Sequence, residues 1–525
     1  MNNSPTLLTS AFDGRVPAEL ACDYILPDTF PDIKRILRVA ASPVLIGRYA
    51  AGKRLEWNGA VDYLVTFSAD CEGGESLHTV HFAGEWSGAL TLPGDADGTE
   101  GCEILITPEV AGCAARPVNP RKVSLKATVL TDLRVLRPVP AEPRIDGSAE
   151  DAARLERLTE KIPALRERAL VAEPRQVSEN LEPDASMPAI DEIVSCTARV
   201  HFHEARVSRD DALSVRLGGT AHVDCLYRAA DGSHRSFSRK IPLAYQLGAP
   251  ECAEFFAECA PETLAVSARA VLTELSAAVG ENSYGERRVA EVDFTFEPHL
   301  HFLGVAQLPL MLDAYSTARA VEIAPRELEF CRAAKVMSAN VSVSEAIEAA
   351  GMRLPEGCTP VSACGEVTFR GLSPERGRAI LTGDAAVSCI FAAPDGSFIP
   401  AEAVIPVKCE LACDIAEPFA MEARGVVGDL RVRAEPERLQ FDFEVSLTLT
   451  VRERVRRTAA DAVTFGEALP PAKACAGMVL CYPAAGETMW TIAKRYGVAM
   501  SALQAANPEA ARVVVIPRAG ISGVV

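Results

Sequence analysis

The chain has 525 residues, room for three or four domains of ordinary size, and its 48% apolar and 24% charged residues fill ordinary cores and exclude wholesale disorder. A net charge of -18 argues against nucleic acid and against an anionic membrane surface, because both demand a basic footprint. No apolar run approaches bilayer-spanning length, so no transmembrane segment is expected, and residues 1–20 lack the basic start and apolar centre of a signal peptide. The expectation is a cytosolic chain whose 16 cysteines are reduced, many of them small buried apolar residues such as Cys225, Cys389 and Cys409.

Residues 1–20 read as a flexible leader. Pro31, Ile33, Ile36 and Leu37 predict a short helix or helical turn over 31–37. Segments 55–67 and 79–92 alternate apolar and polar residues around Gly73 and Gly74, which predicts an antiparallel hairpin with one buried face. The same pattern then recurs. Pro31, Ile33 and Ile36 find counterparts in Pro188, Ile190 and Ile193. Gly59 is followed eight residues later by Phe67, Gly219 by Tyr227 and Gly383 by Phe391, and the last two lead into the hairpin turns Asp231-Gly232-Ser233 and Asp395-Gly396-Ser397. Val129-Leu130-Thr131-Asp132-Leu133 matches Val271-Leu272-Thr273-Glu274-Leu275 and, loosely, Val426-Val427-Gly428-Asp429-Leu430.

Three tandem β-rich copies follow from this pattern, over 21–140, 181–300 and 301–460. The third is divergent and lacks the proline-isoleucine opening. Between the first two, 149–172 is rich in Glu, Arg, Leu and Ala and predicts a helix broken at Pro163, in a helical linker over 141–180. A helix is expected over 344–352, and the alternation of Phe441, Phe443, Val445, Leu447, Leu449 and Val451 predicts a strand over 439–451.

The last module, over 475–520, reads as strand, helix, helix, strand. An apolar run at 478–482 ends in a turn at Pro483 and Gly486. Thr488 is then placed to cap a helix with Met489, Ile492, Ala493 and Tyr496 on its buried stripe, Lys494 and Arg495 at its negative end, and Gly497 in the left-handed position beyond. Trp490, one residue off the stripe, is expected to be exposed. A second helix over 501–506 turns Leu503 inward and stops at Asn507-Pro508. Ala499 stands where a hydroxyl cap is wanted, and 513–516 closes the unit as a strand.

This stretch resembles the LysM module, through Tyr482, Gly486-Glu487-Thr488, Met489-Trp490, Ile492-Ala493, Arg495-Tyr496-Gly497-Val498, Leu503, Asn507-Pro508 and Ile516-Pro517. The resemblance implies a small α+β (βααβ) fold that binds N-acetylglucosamine polymers such as peptidoglycan. The implied groove lies between Gly486, Glu487, Thr488, Met489 and Trp490 on one side and Asn507 and Pro508 on the other. The segment between Pro508 and Ile516 is short and has no glycine turn, so a protein partner is an equal expectation.

The repeats resemble the SPOCS domain of spore-coat and spore-envelope proteins, through Leu26-Pro27-Asp28, Pro31-Asp32-Ile33-Lys34-Arg35-Ile36-Leu37, the glycine and aromatic spacing, and Asp313-Ala314-Tyr315-Ser316-Thr317. That family implies a scaffold at the forespore surface, in the mother-cell cytoplasm, whose LysM module docks on the coat-basement ATPase SpoIVA. The chain as a whole is thus expected to be mainly β, with tandem SPOCS-like repeats and a terminal LysM module, non-enzymatic and without cofactor. His201 with His203, and His299 with His301, would project from one strand face as metal ligands can. They are read as core histidines, since no acid or cysteine accompanies them at ligand spacing. No CxxC pair, Walker A motif or nucleophile elbow is present.

Overall fold

Alternating apolar and polar residues bury one face of a strand, and this chain sustains the alternation over long strands. A computed structural model describes residues 6–71, 74–93, 98–208, 213–348, 352, 354–435, 437–469, 479–508 and 512–517. The chain is mainly β, with a small α+β module at its C-terminal end.

Three units follow one plan. A long strand enters, a three-stranded meander follows, and a hairpin returns its second strand along the first. In unit one the entering strand is β1 (Thr6–Ile25), the meander is β2 (Arg35–Ala51), β3 (Arg54–Cys71) and β4 (Gly74–Thr91), and the hairpin is β5 (Glu103–Asn119) with β6 (Lys122–Pro140). Short β7 (Arg144–Asp146) and α1 (Ala149–Ala153) lead on, the helix started by a capping box between Ser148 and Asp151. In unit two the entering strand is broken at Ala172-Glu173-Pro174 into β8 (Leu155–Val171) and β9 (Arg175–Leu181). Its meander is β10 (Ile190–Ser208), β11 (Ser214–Ala229) and β12 (His234–Gly248); after the short α2 (Ala253–Glu258) come β13 (Ala265–Gly280) and β14 (Val289–Ser316). Unit three runs from β15 (Arg319–Glu348) through β16 (Thr359–Glu375), β17 (Arg378–Ala392) and β18 (Phe398–Leu411) to β19 (Phe419–Ala434) and β20 (Arg438–Ala468). β1 lies antiparallel along β6, β8 and β9 along β14, and β15 along β20. Each unit has its own core between meander and hairpin sheet, around Phe67, Tyr227 and Phe391 respectively.

The strand register repeats as well. Ile36 faces Phe67, Ile193 faces Tyr227 and Pro360 faces Phe391, and each pair is followed by a bulge that leaves Leu37, Val194 and Val361 out of the ladder. These three residues meet in one apolar cluster with Leu77, Leu226, Ile390 and Phe398, where the three meanders touch. Further along, Leu45 faces Gly59, Phe202 faces Gly219 and Phe369 faces Gly383, each pair again followed by a bulge. A Cβ on any of these glycines would clash with a main-chain oxygen, that of Val44, His201 or Thr368. Glycine is needed here for close backbone approach.

The same alignment revises several expectations. Pro355 stands six residues before Val361, as Pro31 stands before Leu37 and Pro188 before Val194, so unit three keeps the proline and has Gly357 where the others have isoleucine. Residues 6–20, expected to be flexible, form most of β1 because β6 pairs along them. No helix forms over 31–37, where β2 already begins at Arg35. The helical linker is correct only at Ala149–Ala153; residues 155–171 are strand because the second half of β14 pairs with them. Residues 344–348 belong to β15, paired with β20, rather than to a helix, and 349–351 lie outside the described residues. Val129–Leu133 sits on β6, whereas its two proposed counterparts sit on β13 and β19, so similar alternation aligned non-equivalent strands.

The units are joined by charge as well as by apolar contact. Glu167 of β8 is buried and receives Arg134 of β6 through two bonds of 2.9 and 3.1 Å, and the Nε–H of Arg452 of β20 at 3.2 Å. His301 Nε2 of β14 lies 3.0 Å from the same carboxylate, and Arg452 also reaches Glu422 at 3.3 Å. Burial alone would raise the Glu167 carboxyl, but Arg452 and Arg134 outweigh it and hold it well below the usual range. Beside this cluster, Leu7, Ile162, Leu308, Leu328 and Phe330 form an apolar core drawn from all three long strand pairs.

Candidate functional site

The C-terminal module is built from β21 (Val479–Cys481), α3 (Met489–Tyr496), α4 (Met500–Ala506) and β22 (Val514–Ile516), with the two strands antiparallel. Thr488 starts α3 through a reciprocal cap with Thr491, and Gly497 ends it at φ 62, a left-handed conformation that glycine adopts without strain. Ala499 starts α4 with no side-chain cap. Cys481, Ile492, Ala493, Leu503, Val514 and Ile516 close the small core.

The module is not a free bead. Trp490 is only 8% exposed, and its ring packs edge-on against Tyr315 at 5.0 Å between centroids. Its indole N–H donates to Asp313 Oδ2 at 2.8 Å, and Lys494 Nζ reaches Asp313 Oδ1 at 2.5 Å. The Tyr315 hydroxyl donates to the carbonyl of Val498 at 2.7 Å, and burial pushes that phenol up to about 12, so it stays a donor at neutral pH. Burial would raise the Asp313 carboxyl, but the hydrogen bonds from Lys494 and Trp490 hold it below its ordinary value. The end of β14, with Leu158 of β8 beside it, is the mount for this module.

The seven residues expected to line a groove divide accordingly. Trp490, expected to be exposed, is buried against the mount. The side chain of Asn507 is engaged within the module: Nδ2 donates to the carbonyls of Leu503 and Val515, and Oδ1 accepts from the Val515 N–H, all at 2.7 Å. Glu487 is tied by the Ala484 N–H and by Arg495, and Met489 is half-buried against the small core. Gly486, Thr488 and Pro508 are exposed. Residues 509–511, part of the second implied groove wall, lie outside the described residues. Tyr496, expected on the buried stripe, is 42% exposed, with the Arg495 guanidinium 5.2 Å from its ring centre, and Tyr482 is exposed as well. Sequence reading missed Asp313 and Tyr315 as functional partners, for they are distant in the chain and were marked only as part of the stretch that resembles the SPOCS domain.

The histidine pairs are placed in the β framework. His201 is buried on β10, which pushes it down to about 4, and burial likewise pushes His299 down to about 3, with Arg269 beside it at 3.2 Å. Among the described residues no group of three or more His, Cys, Asp or Glu is arranged to hold a metal ion. An open cleft of about 490 Å³ between units two and three is lined by Glu204, Ser267, Ser338 and Thr448, among others, and its Ser338 and Thr448 hydroxyls are 3.3 Å apart.

The family model of the LysM domain matches residues 484–513, the stretch that carries α3, α4 and the exposed turn. The chain therefore carries a LysM domain, a binding module rather than a catalytic one. None of the curated proteins and none of the solved structures matches the chain.

Proposed function

We propose that this protein is a non-enzymatic scaffold of spore-coat or spore-envelope assembly, working in the mother-cell cytoplasm at the forespore surface. In this reading the three β-rich units hold the LysM domain in one orientation, and the domain docks on the coat-basement ATPase SpoIVA. The observation that carries it is the mount: Asp313, Tyr315 and Leu158 fix α3, which removes orientational freedom that a tethered module would lose on binding. Trp490, the side chain best suited to stack on a sugar, is engaged by the mount, while Tyr482 and Tyr496 remain exposed as aromatic anchors of the kind protein interfaces favour. The repeats followed by a terminal LysM domain resemble SipL, the functional counterpart of SpoVID.

A second reading, an adaptor that binds peptidoglycan or another N-acetylglucosamine polymer, is favoured by the LysM match itself and by the exposed Gly486 and Thr488. The test is to titrate the full chain with SpoIVA from the same organism and, separately, with N-acetylglucosamine oligomers. It is repeated with Ala485→Arg, which blocks the exposed turn without touching the core. Saturable SpoIVA binding, weakened at least about tenfold by the arginine (~1.4 kcal/mol) and with no oligosaccharide signal, is the expected result. Oligosaccharide binding alone would replace the scaffold with the adaptor, and binding to neither would remove both readings.

A further inference from the structure

The three units share a cross-strand pair two residues past the first bulge, and its member on the central strand is buried in each. In unit one it is Val39 opposite Val65, in unit three Ala363 opposite Cys389, and in unit two Cys196 opposite Cys225. Only unit two places two thiols there. Cys196 and Cys225 are both buried, and their sulfur atoms are already in contact at 3.5 Å. Residues directly opposite on antiparallel strands have Cα atoms about 4.5–5.5 Å apart, within the range a disulfide spans, so closing the bond asks for side-chain rotation and no change of register.

We propose that Cys196 and Cys225 form an oxidation site, a thiol pair that a peroxide converts into a disulfide stapling β10 to β11. In the first step one thiolate attacks a peroxide oxygen; the O–O bond breaks, a sulfenic acid forms, and with one proton the departing hydroxide leaves as water. The second sulfur then attacks the sulfenic sulfur; the S–S bond forms, the S–O bond breaks, and the hydroxide takes the second thiol's proton as water. Two thiols and one hydrogen peroxide become one disulfide and two waters, the sulfurs giving up two electrons and the peroxide gaining them. The hydrogen bond to Cys196 and burial both push the Cys225 thiol up, so thiolate is scarce in the closed sheet. β10 is the edge strand of its three-stranded sheet, and its local opening admits the reagent. Oxidation is therefore slow, and proceeds only as peroxide reaches the pair during such an opening.

The experiment uses the purified full chain, incubated with hydrogen peroxide, then denatured, alkylated and digested without reductant. The expected result is a peptide pair joined through Cys196 and Cys225 that separates on reduction. The melting temperature should rise by roughly 2–4 °C or more, a rise absent from the Cys196→Val, Cys225→Val variant, which installs the pair unit one already carries. Recovery of both cysteines alkylated, conversion to sulfinic acid without a link, or linkage of either to a different cysteine would each overturn the proposal. So would an equal rise in melting temperature in the double-valine variant.

Discussion

Asp313 is a short side chain that satisfies two donors on a module lying more than 170 residues further along the chain. Replacing it by alanine leaves the Trp490 indole N–H without its acceptor, at a cost of about 1–3 kcal/mol, to which the half-exposed Lys494 adds little because water screens it. Asp313→Ala should therefore speed amide hydrogen exchange across Met489–Tyr496 and leave exchange in β10–β12 unchanged. The same contact sets a pH dependence. The Asp313 carboxyl is held below its ordinary value of 3.8, so the stability it contributes is present above that value and is lost as pH falls through its lower folded value. Tryptophan emission, taken as the difference between wild type and Trp490→Phe, should shift to the red only in that acid range. At this scale the sequence was informative wherever neighbours decide the outcome. Thr488, Gly497 and Ala499 behave as their positions predict, because caps depend on residues within a turn. Trp490 did not, since a helix stripe drawn from local spacing contains no information about Asp313 or Tyr315.

At the level of the element, the glycines opposite Leu45, Phe202 and Phe369 mark where two strands approach too closely for a side chain. Because the obstruction is a main-chain oxygen, Gly219→Ala should destabilise the chain by about 1–3 kcal/mol, measured as a lower urea midpoint with an unchanged slope. Gly112, with open space around it, provides the comparison, and Gly112→Ala should stay within about 0.5 kcal/mol of wild type. These glycines were legible as a repeat, through their fixed distance to Phe67, Tyr227 and Phe391. The strand over 439–451 was legible for the same kind of reason, strict alternation. Residues 155–171 were not, because Glu, Arg, Leu and Ala favour helix in isolation, and pairing with the far half of β14 overrides that preference.

For the whole molecule, the decisive joint is the buried carboxylate that unit two offers to arginines from units one and three. Glu167→Gln removes the charge that pairs with Arg134 and leaves Arg452 with Glu422 alone, which should cost about 3–5 kcal/mol and be seen as a lower urea midpoint. Acid acts the same way. Glu167 is held well below its ordinary 4.5, so its contribution is complete above that value and is lost as pH falls through its much lower folded value. Small-angle scattering should then report expansion before circular dichroism reports loss of strand. That three copies exist could be read from the sequence, but which of them touch could not, since Arg134, Glu167 and Arg452 carry no local signature of their partners. The contacts close a circle: unit one meets unit three through Arg38 and Ser362, unit three meets unit two through Thr448 and Phe202, and unit two meets unit one through Glu167 and Arg134. An open row of repeats can lengthen by duplication at either end, provided its terminal members are capped. A closed trio leaves no open end for a fourth copy, so within the trio new properties arise where the copies diverge at matching positions.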